Sequence, residues 1–371
     1  MDTHTFLKSC VELVTVNSVP CSHFDFPAFR AITMPIQEAL NITVNAHNIM
    51  DHVSLSVEHI KTIIKAELCN KLFCLKFDTA SRFRRSVLGI NAQFITDGKV
   101  VVRSLGMIEL TKRHTAENLK QEVIMMLHDY GLNVEQIYTS TTDNGANMIK
   151  SVELLKEYQY INEGGENEEH IENTTQPILG SIRCAAHTLQ LAVHDVSKGN
   201  IKELEDVKNI IKKLRTIPYV NLFAERKKRK PFLDVQTRWS SSYEMIHCLS
   251  TQKEFIESIE INIITEELWN FINKFEEAFR PLYQATLKLQ SKQLTKGDFY
   301  RTWLECELKL EMMEDNIYSA KLLERLQVRK TKLINNNAFP AGIFMDNRFN
   351  YDGSEFLNYE EKQKANVNIF Y

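Results

Sequence analysis

The segment KLFCLKFD, from Lys71 to Asp78, constrains the fold of this chain more than any other stretch. It is an almost continuous apolar run, which is typical of a strand that is buried on both faces of a sheet. SVLGINAQFI and KVVVRSLGMIEL follow as further strand candidates, and the Asp97-Gly98 pair between them is a strong hairpin signal. We therefore expect a sheet that opens with a meander.

Helix and strand patterns alternate after these strands. HTAENLKQEVIMMLHDYG has helical periodicity, and Gly131 is well placed to end that helix. A strand through Ile137 and Tyr138 leads into a second helix, ANMIKSVELLKEY, and SIRC and AAHTLQLAVHDV repeat the order of strand and helix. This alternation predicts an α/β fold.

Changes in composition and hydrophobic periodicity divide the chain into parts. The segment after Gly199 is almost entirely helical, and INEGGENEEHIENTTQP is acidic with few apolar residues, as in an exposed mobile loop. The predicted organisation has four parts: an N-terminal helical region at 1–66, an α/β core at 67–198 with an acidic loop at 161–177, a helical domain at 199–335 and an irregular tail at 336–371.

The composition sets limits on function. A net charge of −3 gives the protein no global basic field, although a local basic face could still bind DNA. Seven cysteines without paired spacing are typical of a reducing compartment. The sequence has no charged-then-apolar leader and no apolar run of about 18 residues, so we expect a cytosolic or nuclear protein that does not cross a membrane.

Two aspartates lie at the ends of predicted strands. Asp78 ends the first strand, and Asp143 comes just after the fourth, in TSTTDNGAN. If these strands are neighbours, the two carboxylates meet at one edge of the sheet and repel unless a cation lies between them. Mg²⁺ or Mn²⁺ would supply that charge and could organise phosphoryl transfer. The alternative is that each aspartate caps a turn or a helix, because Asp-Asn-Gly is a common turn composition.

Four motifs, in order along the chain, resemble the hAT-superfamily transposases: LKFDTASRFRRSVLGINAQFI, STTDNGANMIKSV, RCAAHTLQLAV and DVQTRWSSSYEMI. The resemblance implies an α/β fold with an RNase H-like mixed sheet, interrupted by a large all-helical insertion domain that matches the stretch from Gly199 onward. It also implies an Asp-Asp-Glu triad that binds two metal ions and transfers DNA strands. Asp78 and Asp143 match the first two members of that triad and are thereby the catalytic and metal-binding candidates.

The sequence departs from this family towards both ends. No segment after Asp143 has the Ser-x-x-x-Glu-Arg pattern of the third carboxylate, and Glu355, Glu360 and Glu361 do not fit it. No zinc-finger spacing of cysteine and histidine precedes Lys71. We therefore expect a C-terminally truncated relative without an N-terminal zinc finger, whose incomplete core binds Mg²⁺ or Mn²⁺ weakly and does not transfer DNA strands on its own.

Two residue pairs are further DNA-binding candidates. Cys184 and His187 have half of the spacing of a zinc site, and the resemblance implies that they lie near the active site and act on DNA or shape the pocket; ordinary packing and zinc binding are the alternatives. Arg238 and Trp239 match a family pair close to the catalytic pocket, where the tryptophan can stack on an unpaired base. The alternative for Trp239 is a core position that anchors helices.

Two basic clusters complete the candidate set. Five consecutive cations precede Pro231 and could contact phosphates or act as a nuclear localisation signal, and the alternative is a solvated loop. The segment SRFRRS follows Asp78 closely and interleaves Phe83 with arginines that could line a DNA channel or merely solvate a hairpin. The cations of the two clusters are Arg226, Lys227, Lys228, Arg229 and Lys230, and Arg82, Arg84 and Arg85.

These features predict a nuclear, DNA-associated, transposon-derived protein without independent strand-transfer activity. One rival hypothesis is a fragment of an active hAT transposase. The other is a protein-interaction scaffold that retains the fold without binding DNA. Dimerisation in the family depends on the segment that is not matched here, so we expect a monomer.

Overall fold

A computed structural model of the chain describes residues 1–162, 180–235, 238–259, 263–336, 338–351, 354–358, 360–363 and 365. Residues 163–177 of the predicted acidic loop lie outside the described residues. Within these ranges the chain forms two compact units, one comprising residues 1–71 and 124–133 and the other comprising 72–123 and 134–371.

The first unit is helical, as the periodicity of its sequence indicates. The carboxylate of Asp2 caps the first helix by accepting a hydrogen bond from the Thr5 backbone N–H at 2.7 Å. The last helix of this segment continues to the buried Leu68, two residues past the predicted boundary at 66, because its apolar periodicity continues to that point. The helices are α1 (Thr3–Thr15), α2 (Pro27–Leu40) and α3 (Ile49–Leu68).

The second unit contains a five-stranded mixed sheet with the order β3-β2-β1-β4-β5. Strands β1, β2 and β3 form the predicted antiparallel meander, and β4 and β5 continue the sheet in parallel with β1. Along the chain, α4 lies between β3 and β4, with its residues from 124 onward in the first unit, and α5 follows β4. The bounds are β1 (Phe73–Arg82), β2 (Arg85–Thr96), β3 (Lys99–Glu109), α4 (Ala116–Asp129), β4 (Ile137–Thr142), α5 (Ala146–Asn162) and β5 (Gly180–Arg183).

The burial of β1 differs from the prediction. Phe73, Leu75 and Phe77 are buried, but Lys76 and Asp78 on the opposite face are exposed. Side chains alternate between the two faces of a strand, so a single lysine in an apolar run is enough to mark the open face. The strand is therefore buried on one face only. The prediction that Asp78 ends the strand is wrong, because β1 stays paired with β2 and continues to Arg82, so Asp78 lies on the open face within the strand.

The segment after β5 is helical and has its own large apolar core. Helix α6 contributes Leu189 and Val193 to this core, and α11 contributes Phe275 and Phe279, whose rings stack with centroids 3.9 Å apart. The helices are α6 (Ala185–Ser197), α7 (Ile201–Leu214), α8 (Ile217–Glu225), α9 (Trp239–Ser250), α10 (Lys253–Ile259), α11 (Glu266–Leu289), α12 (Lys296–Glu311) and α13 (Ser319–Ile334). The predicted fold class, a mixed sheet with a large all-helical region, is confirmed.

The tail contains more structure than its sequence indicates. Helix α14 (Ala338–Phe344) lies in the segment that we predicted to be irregular. It is a short helix held by tertiary contacts, including a 2.6 Å hydrogen bond from Lys296 Nζ to the Ala338 carbonyl. Arg348 then joins the tail to α12 through a 2.7 Å contact with Asp298. Short helices that depend on such contacts leave little local periodicity.

One end of edge strand β3 is paired with a side chain. The amide of Gln293 accepts a hydrogen bond from the Val100 backbone N–H at 3.0 Å and donates one to the Val100 carbonyl at 2.9 Å. The side chain thus satisfies both backbone groups that Val100 presents away from β2. Across the described ranges, no helix is long and apolar enough to span a membrane.

Candidate carboxylate site at the sheet edge

The register of two parallel strands brings Asp78 and Asp143 together. Lys76 of β1 lies opposite Thr141 of β4, and the same register continued by two residues places Asp78 opposite Asp143. Asp78 shares the open face of β1 with Lys76, since side chains two residues apart on a strand share a face, and its carboxylate is close enough to Asp143 for the two charges to interact. The two carboxylates were predicted to meet only if their strands are neighbours, and β1 and β4 are adjacent in the sheet.

A tight turn fixes the position of Asp143. Its Oδ1 atom accepts a hydrogen bond from the Gly145 backbone N–H at 2.9 Å, which forms an Asx turn between β4 and α5. A Cβ atom at position 145 would lie 3.0 Å from the same carboxylate oxygen, so glycine gives the carboxylate its space. Asp143 therefore caps the turn through Oδ1. This role in the turn does not exclude the alternative role as a metal ligand.

The carboxylate of Asp78 is in an unfavourable electrostatic environment. Desolvation and then the charge of Asp143 raise its pKa above the ordinary value of 3.8, against the Thr79 backbone N–H and the nearby His187, which lower it. The Thr79 N–H donates to Oδ1 at 2.8 Å. Among the hydrogen bonds of the described residues, none runs from a side chain to either carboxylate, although the Thr142 hydroxyl donates to the Asp143 backbone carbonyl at 3.2 Å. The pair thus carries negative charge that the protein only partly compensates.

Helix α6 contributes the third element of the site. The Cys184 backbone N–H donates to the Thr142 carbonyl at 2.7 Å, which holds the start of α6 beside the end of β4. His187 lies in the first turn of α6, half-buried and close enough to Asp78 to influence its pKa. The Cys184 thiol is also half-buried and free of any disulfide.

Sequence reasoning missed a polar link between the two motifs. Asn144 donates from Nδ2 to Oγ1 of the buried Thr188 at 3.0 Å, and Thr188 in turn donates to the Cys184 carbonyl at 2.9 Å. These bonds join the turn after β4 to the start of α6. Thr188 is a polar residue within the otherwise apolar helix AAHTLQLAV, and this contrast was the available signal, whereas Asn144 lies in a polar turn that gave none.

The donor set of the site is small. Among the residues that the structure describes, no three histidine, cysteine, aspartate or glutamate side chains are grouped so that they could hold a metal ion. Two carboxylates are nevertheless sufficient protein ligands for one Mg²⁺ ion, which commonly keeps several waters and takes the remaining oxygens from phosphates. The chemistry of Asp78 and Asp143 therefore fits a single hard divalent cation.

The arginines near Asp78 lie at the tip of the β1–β2 hairpin. Arg82 and Arg85 face each other across the ladder, and Phe83 and Arg84 form the turn between them. Arg85 is engaged by Glu109, with two parallel hydrogen bonds of 2.7 Å. Arg82 and Arg84 are exposed, which leaves their charges open to solvent.

Hydrogen bonds fix the backbone of the basic run at residues 226–230. All five residues are exposed, from Arg226, which ends α8, to Lys230. The Lys228 backbone N–H donates to the Phe223 carbonyl at 2.8 Å, and the Gln252 amide donates to the Arg229 carbonyl at 3.0 Å. These contacts place the run on the helical region, and none of them reaches the two aspartates.

Trp239 is a core residue. Only 7% of its surface is exposed, and its ring packs against Phe279 with centroids 6.5 Å apart. The neighbouring Arg238 is exposed at the N-terminus of α9. Of the two readings of Trp239, the structure supports the one in which it anchors helices, because a buried indole offers no face to a DNA base.

The chain is similar to known proteins in part of its helical region and along most of its length. Residues 182–278 match the family model of the ZBED1 RNase-like helical domain, so the match begins in β5 and ends in α11. The fold and this match define a mixed α/β protein with a helical domain similar to that of ZBED1. The protein tpeD of the fungus Talaromyces stipitatus, named as a proposed transcriptional regulator, is 24% identical over 339 residues. That alignment covers 78% of this chain and 38% of tpeD, so the chain spans well under half of this relative's length.

Proposed function

We propose that this chain is a nuclear, DNA-associated regulator derived from a hAT transposon, and that its carboxylate pair does not support strand transfer on its own. The similarity to the ZBED1 helical domain and to a proposed transcriptional regulator supports the regulatory part of this proposal. The order of strands, with Asp78 on β1 and Asp143 directly after the neighbouring β4, supports descent from an RNase H-like transposase core.

The observation that carries DNA association is the uncompensated basic run at 226–230. Its five cations are exposed, and no acidic side chain of the described ranges forms an ion pair with them. Hydrogen bonds to the backbone of Lys228 and Arg229 hold this segment in a defined turn. Binding of a phosphate backbone would therefore cost little conformational entropy. Clustered cations of this kind bind phosphates by displacing condensed counterions.

A divalent cation would be held by Asp78 and Asp143. When bound, Mg²⁺ or Mn²⁺ would offset the repulsion between the two carboxylates and could contact a DNA phosphate. The role of this chain's own residues is then to fix the two carboxylates, through the Gly145 turn and the Thr79 backbone N–H, at the edge where DNA would pass. Strand transfer by two metal ions requires a clamp on both reacting oxygens, which two carboxylates alone do not build.

Salt dependence of DNA binding tests the association. We would measure the affinity for a labelled duplex by fluorescence anisotropy over a series of salt concentrations. Each phosphate contact contributes about 0.9 to the slope of log affinity against log salt. A variant with residues 226–230 replaced by glutamine should bind more weakly and show a shallower slope.

A second variant controls for loss of positive charge in general, and the losses are compared per cation because it removes three cations rather than five. Replacing the exposed cations Lys321, Arg325 and Lys332 of α13 with glutamine removes charge from another helical surface. We expect this control to retain most of the slope. Salt-independent binding, or equal losses in both variants, would contradict the assigned role of the basic run.

The retained aspartates favour a second candidate, a fragment of an active transposase. Incubation of the purified protein with supercoiled DNA and Mg²⁺ or Mn²⁺ tests whether this chain cleaves DNA on its own, and restoring a segment with the third carboxylate and assaying excision tests the fragment. We expect no nicking. Metal-dependent nicking that disappears in Asp143→Asn would establish the nuclease instead.

A further inference from the structure

The tip of the β1–β2 hairpin has an unusual turn. Phe83 and Arg84 have φ angles of 49° and 64°, in the left-handed region. The second hairpin of the same sheet has a turn of the same hand, with φ angles of 51° and 68°, but it uses Asp97 and Gly98. Asp-Gly is a preferred pair for such turns, whereas a bulky aromatic residue in this region is an outlier. The Phe-Arg turn is therefore not explained by turn geometry.

Packing does not explain Phe83 either. Its side chain is 84% exposed, so it contributes almost nothing to a hydrophobic core. Its ring lies beside Arg82, whose guanidinium carbon is 4.8 Å from the ring centroid. A strained backbone that presents an aromatic side chain to solvent indicates a role in binding rather than in folding.

The surroundings of Phe83 indicate the chemistry of its ligand. Arg82 and Arg84 flank the ring and are exposed, while Arg85 is held by Glu109. A flat aromatic face beside cations is the combination with which proteins bind single-stranded nucleic acid, since the ring stacks on a base and the cations contact its phosphates. A protein partner would instead favour a broader apolar surface around the ring.

The location of the hairpin also fits DNA. Arg82 follows Asp78 by four residues on β1, so the tip lies about 13 Å from the carboxylate pair along the strand. A DNA strand that passes the pair could reach the tip within a few nucleotides. Trp239, the other aromatic candidate for base stacking, is buried in the helical core.

We propose that Phe83 is a stacking residue for an unpaired DNA base, with Arg82 and Arg84 as the phosphate contacts on either side of it. This inference rests on the proposed DNA association. It adds a preference for DNA that contains unpaired bases over fully paired duplex.

The experiment compares two DNAs in one anisotropy assay. One is a fully paired duplex, and the other is the same duplex with a short unpaired stretch that contains the fluorescent base 2-aminopurine. Wild-type protein should prefer the second DNA by about tenfold, within the range of base stacking on an aromatic side chain. It should also quench the 2-aminopurine fluorescence, because stacking reduces the emission of this base.

Three variants identify the residue. Phe83→Ala should lose the preference and the quenching while it retains the affinity for paired duplex, and Phe83→Trp should retain both. Ile95→Ala is the matched control, because Ile95 is 70% exposed at the other end of β2, next to the second hairpin. It should behave as wild type.

The outcomes separate this inference from the proposed function. If wild-type protein binds paired duplex with the expected salt dependence but shows no preference, only the stacking role is overturned. If it binds neither DNA, both are overturned. If Phe83→Ala instead abolishes self-association in sedimentation velocity without any change in DNA preference, the ring contacts a second copy of the chain and the stacking role is again overturned.

Discussion

The sheet edge and the helical region differ in the groups that surround their carboxylates. At the edge, Asp78 and Asp143 lie opposite each other and accept hydrogen bonds from backbone N–H groups. In the helical region, the buried Glu276 accepts hydrogen bonds from Tyr243 at 3.0 Å and from Arg280, and its Oε1 atom lies 3.1 Å from His247 Nδ1. The two aspartates at the sheet edge have few hydrogen-bond donors of their own, whereas Glu276 is surrounded by side-chain donors.

The pKa values of the two sites move in opposite directions. Desolvation and the charge of Asp143 raise the pKa of Asp78. Burial also acts to raise the pKa of Glu276, but the hydrogen bonds from Arg280 and Tyr243 outweigh it and the pKa lies below its ordinary value of 4.5. The negative charge of Asp78 therefore lowers the stability of the folded protein, whereas the negative charge of Glu276 raises it.

The largest expected effect is in the helical region. Arg280→Ala should lower the free energy of unfolding by about 3 kcal/mol, because it leaves a buried carboxylate without its cation. Urea unfolding followed by tryptophan fluorescence measures it, since Trp239, Trp269 and Trp303 are all buried in this core.

The control for this prediction is Arg301→Ala. Arg301 and Glu305 form an ion pair of 2.8 Å with the same helical spacing, but Glu305 is 32% exposed compared with 9% for the Glu276 side chain. An exposed pair of this kind contributes under about 1 kcal/mol. Equal losses in the two variants would remove the distinction between a buried and an exposed carboxylate.

The second prediction concerns cation binding at the sheet edge. At a concentration about tenfold above its dissociation constant, Mg²⁺ should raise the free energy of unfolding by about 1.4 kcal/mol. Asp143→Asn should abolish this increase, whereas replacement of the exposed Asp315 with asparagine should not. Thermal unfolding with and without the metal measures it, and an undiminished increase in Asp143→Asn would place the cation elsewhere.

The third prediction exchanges the two hairpin turns. Phe83→Asn with Arg84→Gly should raise the free energy of unfolding by about 1 kcal/mol, because it relieves two strained residues. The reverse exchange, Asp97→Phe with Gly98→Arg, should lower it by a similar amount. Chemical denaturation measures both. If the first variant is no more stable than wild type, the Phe83 turn is not strained and its proposed functional origin loses its main support.

The smallest effect is a pH dependence of opposite sign at the two sites. The folded pKa of Asp78 is raised, so its neutral form is favoured on folding, and Asp78→Asn should be slightly more stable than wild type near neutral pH. That difference should vanish as the pH falls below 3.8, where Asp78 is protonated in both states. The stability from Glu276, whose folded pKa is lowered, is present above 4.5 and is lost as the pH falls through the folded pKa.

Denaturant unfolding of wild type, Asp78→Asn and Glu276→Gln at several pH values tests both signs. We expect Glu276→Gln to be less stable than wild type near neutral pH. A pH-independent difference for either variant would show that packing rather than charge is responsible.

The two neighbouring strands that carry and precede Asp78 and Asp143 could be predicted because their signals are local, although β1 continues to Arg82 rather than ending at Asp78. An apolar run that ends in Asp78 and an Asp-Asn-Gly turn after the next parallel strand are each visible within ten residues. The burial of Trp239 and the network of Glu276 depend on side chains of another helix, with Tyr243 and Glu276 separated by 33 positions. Nothing in the periodicity of a helix identifies which other helix covers it, so these features required the structure.

The pairing of Gln293 with Val100 closes part of an open strand edge. An open strand edge is a template on which the same strand of another chain can add, which leads to aggregation. The amide of one side chain, 193 positions away, already occupies both backbone groups of Val100. An incoming strand would have to displace that amide first, so the helical segment protects the sheet from polymerisation at the place where the second hairpin begins.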